Sequence, residues 1–500
     1  MSPAESKSSD ANPPLLVPAA STGISGLDEI LKGGLPTGFL YLISGNAGSG
    51  KTTLSLQFLM EGRARGERVL YVTLSETLKE IQAVARSHGW TLDGIHLEQL
   101  PVDQRGADED EQTVFKAAEV ELGEFRARLE SIVETANPAR VVIDSLSELR
   151  LLSGDPRQHR RQMVALKRFF GTRGCTVIIT DDNTSPDPNH TFHSLMHGVV
   201  ALTRATRAFG GARRRIEVVK VRGLAFDDGL HDYAIRTGGL VVYPRLIVAE
   251  SRGPLLSGLV LSGLPALDRL LGGGIHRGTS VALIGPSGIG KSMTALQYVL
   301  HNLKLGKKAS IFLFDESLRT LQLNAVGSSL APHIADGALT VHYIDPAEVS
   351  PGEFTARVRV SVESGTELVV IDGLNGYVSA MPDEQLLVLH LHKLLVYLNA
   401  SNVTTFLIAS QRGAILPAVD DPLDVSHLTD TVILYRNYEH RGEVGRAITV
   451  LKHRGAELER TLRPLTLPAH GMAIGEPLRG LRGVLTGTPI STERNEPSEQ

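Results

Sequence analysis

The chain has 500 residues, of which 42% are hydrophobic and 21% charged, and it carries a formal net charge of −4. One hydrophobic core seldom serves more than about 250–300 residues, so this length asks for two domains. The charge balance excludes the global attraction to nucleic acid or anionic membrane that a basic chain would have.

Residues 1–14, "MSPAESKSSDANPP", are polar and lack the basic-then-apolar order of a secretory leader. They are expected to be disordered, as is the polar tail at 490–500. No stretch approaches about 18 uninterrupted apolar residues, so no membrane span is expected. Cys175 is the single cysteine and lies in the apolar run "GCTVIIT". It reads as a small core residue, no intrachain disulfide can form, and a reducing cytoplasm fits.

From residue 15 onward, short apolar runs alternate with helical periods. "FLYLISG" reads as a buried strand, and "TTLSLQFLMEGRARG" as a helix ending at a glycine. "RVLYVTLSE", "RVVIDSL" and "CTVIITD" are further strands, and "VVYPRLIVAESRGPLL" reads as a join. The order then recurs in "SVALIGP", "SMTALQYVLHNLKLG", "ASIFLFDES", "ELVVIDGL" and "VTTFLIASQ". A shift of 240 positions places Gly23 on Gly263, Leu27 on Leu267, Asp28 on Asp268, Gln57 on Gln297 and Glu76 on Glu316. A single ungapped register over that span is a duplication, and its period is far longer than that of a solenoid repeat. The expected fold class is therefore α/β: two tandem P-loop domains, each a mostly parallel sheet flanked by helices. The expected domains are 15–245 and 257–489, joined by a linker at 246–256.

Between the first strand and first helix of each copy lies Gly-x-x-x-x-Gly-Lys-[Ser/Thr]. The first copy runs Gly45, Asn46, Ala47, Gly48, Ser49, Gly50, Lys51, Thr52, Thr53. The second runs Gly285, Pro286, Ser287, Gly288, Ile289, Gly290, Lys291, Ser292, Met293. Glycines allow a tight loop whose N–H groups face phosphate oxygens, and the following helix adds favourable partial charge. Lys51 and Lys291 suit the β/γ phosphates, and Thr52 and Ser292 offer a hydroxyl to Mg²⁺. ATP and Mg²⁺ are the expected cofactors. Asp144 and Asp372 end apolar strands, where a carboxylate suits the Mg²⁺ shell.

Hydrolysis also needs a group to orient water. Glu76 and Glu316 are the carboxylates shared by the two copies. Asp315 precedes Glu316, whereas Ser75 precedes Glu76, so the two sites are not chemically equivalent. Late in each copy, Lys220 with Arg222 and Lys452 with Arg454 alternate along a strand and share one side. They suit a γ-phosphate across a subunit boundary. His190, His193 and His197 lack the partners of a metal motif. Arg213, Arg214 and Arg215 follow a glycine pair and read as the flank of a hairpin. The segments "DDNTSPDPNHTF" and "PAVDDPLDVS" are acidic, a poor match to a nucleic-acid backbone.

The stretch "STGISGLDEILKGGLPTGFLYLISGNAGSGKTTLSLQFLMEG" resembles the opening of RecA-superfamily ATPases of the KaiC, circadian clock, type. "HLTDTVILYRNYEHRGEVGRAITVLKHRG" resembles the end of a KaiC domain. The resemblance covers about residues 18–475. It implies a RecA-like fold in each half and a hexameric double ring with ATP at subunit interfaces. It also implies catalytic roles for Glu76 and Glu316, and contacts from Lys220, Arg222, Lys452 and Arg454 to a neighbour's ATP. The family's paired glutamates are reduced here to Ser75-Glu76 and Asp315-Glu316. The family's adjacent Ser-Thr phosphorylation pair is matched by Ser426-His427, which retains a single phosphosite, Ser426, with Thr429 and Thr431 as weaker choices. The expected function is a Mg-ATP-dependent signalling ATPase, a homohexamer with a protein partner and a Ser/Thr autokinase activity through the second domain. A DNA-acting ATPase and an ATP-assembled scaffold with little turnover are the alternatives.

Overall fold

The computed structural model describes residues 18–100, 111–148, 156–182, 193–207, 210–247, 257–315, 319, 321, 330–379, 387–411, 426–440, 442–455, 457–468, 471–485 and 490–491. The expected disordered start and most of the tail lie outside these residues. The chain divides into two compact units, 1–245 and 246–500.

Unit 1 is built on a nine-stranded sheet. Its spatial order is Gly239–Tyr243, Leu230–Arg236, Arg213–Val221, Gly198–Ala205, Leu40–Gly45, Thr176–Asp182, Arg140–Asp144, Val69–Thr73, His96–Gln99. The six strands from Gly198–Ala205 to His96–Gln99 are parallel. The remaining three add as an antiparallel meander. Strands Leu40–Gly45, Val69–Thr73 and Arg140–Asp144 are buried at every position, as expected of parallel strands covered on both faces. Period-two alternation divides their side chains between two cores. Tyr41 and Ile43 pack with Leu54, Phe58 and Leu59 of helix Lys51–Ala64. Leu40 and Leu42 pack with Leu129, Val133, Met163 and Phe170 from helices Glu111–Ala136 and Pro156–Arg173.

Unit 2 repeats this topology. Its order is Leu339–Tyr343, Lys308–Leu313, Thr366–Asp372, Thr404–Ser410, Ser280–Gly285, Thr431–His440, Glu443–His453, Arg463–Thr466, Ala473–Ile474. Its first six strands are parallel and its last three antiparallel. Each unit is thus a RecA-like α/β domain. In both, the strand feeding the glycine-rich loop is central and one strand separates it from the strand ending in Asp144 or Asp372. That places the loop and the carboxylate on the same carboxyl edge, where open parallel sheets bind ligands. Among the described residues, no helix is long and apolar enough to cross a membrane.

The two cores are not copies in detail. Arg140 in unit 1 is 1% exposed, and register places Leu368 at its position in unit 2. Its guanidinium pairs with Glu67, donates to the Ser21 carbonyl (2.6 Å) and the Phe58 carbonyl (3.0 Å), and lies 4.7 Å from the centre of the Phe58 ring. This one side chain ties the N-terminal segment and the loop-bearing helix to the sheet. Its replacement strands Glu67 and two carbonyls. Arg140→Ala is expected to cost unit 1 roughly 3–5 kcal/mol; a urea-unfolding loss below about 1 kcal/mol would show that these contacts add little.

Candidate nucleotide site

In unit 1, strand Leu40–Gly45 runs into the loop and helix Lys51–Ala64 begins at Lys51. Gly50 is the N-cap residue at φ 95°, and no side chain caps the helix. A Cβ at Gly50 would stand 2.7 Å from Ile235 Cδ1, so both conformation and space require glycine. Gly290 repeats this at φ 115°, again with no capping side chain before helix Lys291–Lys304. Two other helices have side-chain caps, whereas the short helices Ser25–Ile30, Pro265–Leu270 and Ala331–Ala335 do not. Thr77 and Glu80 form a capping box, and Ser350 accepts from the Glu353 N–H. The two loop helices therefore leave first-turn N–H groups for an external anion.

Lys51 Nζ folds back over the loop. It donates to the carbonyls of Gly45 (2.9 Å) and Asn46 (3.4 Å) and pairs with Asp182 Oδ1 at 2.6 Å. Lys291 Nζ donates to the carbonyls of Gly285 (2.8 Å) and Pro286 (2.7 Å). The Asn46 side chain clamps the neighbouring strand end, donating to the Arg204 carbonyl (3.0 Å) and accepting from the Arg204 N–H (3.2 Å).

Thr52 Oγ1 donates to Asp144 Oδ2 at 3.1 Å, so the structure brings these two residues together. Asp144 also accepts from the Tyr71 hydroxyl (2.6 Å) and Thr180 Oγ1 (2.5 Å). Burial, and then Asp144, push the Tyr71 phenol well above its ordinary pKa, so it is a fixed donor. Asp372 ends the matching strand of unit 2 and is also buried. Register places Ile311 and Ile408 where unit 1 has Tyr71 and Thr180. The Tyr71 and Thr180 hydroxyls beside Asp144 are thus replaced by apolar side chains in unit 2.

Glu76 follows the strand Val69–Thr73. Its N–H donates to Thr73 Oγ1 (3.0 Å) and its carbonyl accepts from the same hydroxyl (2.8 Å). This pins the backbone while Oε2 is buried without a hydrogen-bond partner. Burial raises the carboxyl pKa, and the charges of Asp144, Glu80 and Asp182 raise it further, against a lowering by Lys51. Ser75 beside it is exposed. In unit 2, Asp315 is exposed as a residue, yet its carboxyl is tucked against Gly373 and Gly376, and lost solvation there raises its pKa. Glu316 lies outside the described residues.

The late cations lie elsewhere. Lys220 pairs across the sheet with Val199, which is level with Leu42, three residues before Gly45. Lys452 pairs with Val432, level with Ala282, three residues before Gly285. Three strand residues span about 10 Å. The side chains also turn away from their own loops. Lys220 donates to the His193 carbonyl and Arg222 to the Ser194 carbonyl (2.7 Å). Lys452 donates to the carbonyls of Ser426 (2.9 Å) and Thr429 (2.5 Å), and Arg454 meets Asp430 at 3.4 Å. Burial, and then Arg222 and Lys167, lower the Lys220 pKa. Ser426 is half-buried, whereas Thr429 and Thr431 are 0% and 1% exposed.

The remaining sequence candidates are structural in setting. His197 stacks on Phe39 at 3.7 Å. Arg213, Arg214 and Arg215 lie on the hairpin strand that pairs with Gly198–Ala205. Residues 183–192, which include His190 and most of the first acidic segment, lie outside the described residues. Sequence reading missed Asp182, Tyr71 and Thr180. The first ends an apolar strand just as Asp144 does, which was a readable signal; the other two are ordinary strand residues.

Two RecA-like domains, each with a glycine-rich loop and a strand-end aspartate on the same sheet edge, define a tandem P-loop ATPase. The family model for the KaiC ATPase matches residues 20–247 and 260–479, and the chain belongs to that family. It is similar to the circadian clock protein KaiC3 of Synechocystis sp., with 28% identity over 95% of this chain and 95% of that protein. It is also similar to the circadian clock oscillator proteins KaiC of Picosynechococcus sp. (26% identity) and Synechococcus elongatus (25% identity). Each of these matches covers 96% of this chain and 93% of the relative.

Because the folded-state pKa of Glu76 is raised, its contribution favours the protonated form. That contribution is present at low pH and lost as pH rises through the folded pKa. Glu76→Gln should therefore be more stable than wild type at neutral pH. The difference in melting temperature should close as pH falls below the ordinary glutamate value of 4.5. A pH-independent difference would remove the buried charge as its cause.

Proposed function

We propose that the protein is a Mg²⁺-dependent ATPase that assembles as a hexamer with ATP between subunits, and that unit 2 also phosphorylates Ser426. The carrying observation is the placement of the two Lys-x-Arg pairs at the sheet edge opposite their own loops. Cations so placed cannot serve the nucleotide of their own unit and suit that of a neighbouring subunit. Ser426 stands at the same edge, its carbonyl held by Lys452, so it too would receive phosphate from a neighbour.

The residues fit ATP and Mg²⁺. Gly45 through Thr53 and Gly285 through Met293 would cradle the phosphates, with Lys51 and Lys291 moving from loop carbonyls to phosphate oxygens. The oxygen donors Thr52 and Asp144, already 3.1 Å apart, are the hard ligands Mg²⁺ prefers, and Ser292 with Asp372 is the corresponding set. Mg²⁺ would neutralise charge on the β- and γ-phosphates. Glu76 would orient the attacking water, its buried unpartnered Oε2 being an acceptor still to be filled; Glu316, beside Asp315, would do the same in unit 2. Unit 1 would chiefly support assembly and unit 2 the regulated chemistry, since only unit 2 keeps two adjacent carboxylates. Domain limits of 15–245 and 257–489, a cytoplasmic setting and a protein signalling partner complete this reading. No observation favours the DNA-acting alternative.

Lys51→Ala and Lys291→Ala should each lower turnover at their own site about 100-fold, the effect of removing one electrostatic donor from a transition state. Phosphate release unchanged in both variants would overturn the site assignment. Radiolabelled ATP should mark wild type and not Ser426→Ala; an unlabelled wild type would remove the kinase part. Equal losses from Glu76→Gln and Glu316→Gln would count against the division of labour.

A further inference from the structure

Three hydroxyls converge on the Asp144 carboxylate, each from a different element. Thr52 comes from helix Lys51–Ala64, Tyr71 from strand Val69–Thr73 and Thr180 from strand Thr176–Asp182. Those two strands flank the one that ends at Asp144. Asp144 Oδ2 accepts from Thr52 Oγ1 at 3.1 Å and from the Tyr71 hydroxyl at 2.6 Å, and Oδ1 accepts from Thr180 Oγ1 at 2.5 Å. The last two are the short O–H···O⁻ bonds expected of an ionised acceptor. Tyr71 and Thr180 are both 0% exposed, so bulk water does not compete for these bonds.

An ionised carboxylate has about four acceptor positions, shared equally between its oxygens. Thr52 and Tyr71 therefore fill Oδ2, and Thr180 fills half of Oδ1. A hydroxyl that lends its oxygen to a cation keeps its proton, so Thr52 can serve a cation and still donate to Oδ2. Chelation by both carboxylate oxygens needs an open position on each, and Oδ2 has none. We propose that Tyr71 sets the cation preference of unit 1, as a positioning residue that holds Asp144 to ligation through Oδ1 alone. This rests on the reading of Thr52 and Asp144 as the Mg²⁺ set. Mg²⁺ demands near-octahedral geometry at short distances, which a single carboxylate oxygen meets. Ca²⁺ takes about six to eight oxygens and accepts both from one carboxylate. The frame supplies what Mg²⁺ uses and withholds the second oxygen from Ca²⁺.

The test is titration of the full chain with Mg²⁺ or Ca²⁺ at a fixed concentration of a fluorescent non-hydrolysable ATP analogue. A Lys291→Ala background weakens the loop of unit 2, and the readout is the ratio of the two half-saturating cation concentrations. The parent should saturate at a lower concentration of Mg²⁺ than of Ca²⁺. Tyr71→Phe keeps the ring and opens a position on Oδ2, so it should narrow this preference about tenfold, the lower end of the effect of groups that orient a metal ligand. Thr180→Val removes an equally short bond but leaves Oδ2 filled, so it should keep the preference. An unchanged ratio in Tyr71→Phe overturns the proposal. So does an equal narrowing in Thr180→Val, because any loosening of Asp144 would then suffice. A parent that saturates as readily with Ca²⁺ as with Mg²⁺ overturns it without any substitution in the frame. Asp144→Asn separates the two layers. If it leaves both half-saturating concentrations unchanged, Asp144 holds no cation and the reading of the site fails. If it raises both while Tyr71→Phe is silent, only the role of Tyr71 fails.

Discussion

The site of each unit depends on a glycine held at left-handed φ immediately before a helix that no side chain caps. At Gly50 the space is closed by Ile235 and at Gly290 it is bounded by Leu465, so the surrounding strands shape the loop as much as its own sequence does. The loop can be held this way because the strand feeding it is buried on both faces and hydrogen-bonded on both edges. A rigid strand, a glycine pivot and an open helix start together aim N–H groups at one point. At helices Leu78–Ser87 and Pro351–Glu363, by contrast, the hydroxyls of Thr77 and Ser350 close the first turn.

Duplication preserved this constraint more faithfully than the polar groups around it. The nine-strand order is the same in both units, because a parallel sheet needs only apolar volume on each face to recur. The residues around the phosphate loop answer to chemistry instead, and there the units diverge. Asp144 sits in a frame of three hydroxyls, whereas two isoleucines occupy the matching places beside Asp372. Asp182 faces Lys51 where unit 2 has Ser410, and Arg140 clamps a helix where unit 2 has Leu368. Each exchange changes a side chain at nearly constant topology.

The separation of the Lys-x-Arg pairs from their own loops follows from strand direction. The strands carrying Lys220 and Lys452 run antiparallel to the central sheet, so their last residues fall at its amino edge. Each unit thus has a cation pair at that edge and its glycine-rich loop at the other. The same topology makes Ser426 a neighbour of Lys452.

The duplication, the α/β class, the two loops, the strand-end aspartates and the KaiC family were legible in the sequence. They rest on local rules: period-two burial, helical period, and a backbone shape that only glycine allows. Side-chain partnership across 73 or more residues was not legible, as Tyr71 with Asp144 and Arg140 with Glu67 show. Nor was the ion pair of Lys51 with Asp182, since strands far apart in the chain become adjacent only when the sheet forms. The sequence by itself determined what each loop can hold, because motif and conformation are local. Only the tertiary structure decided which charges surround that loop and which face away from it, because strand order and direction set those distances.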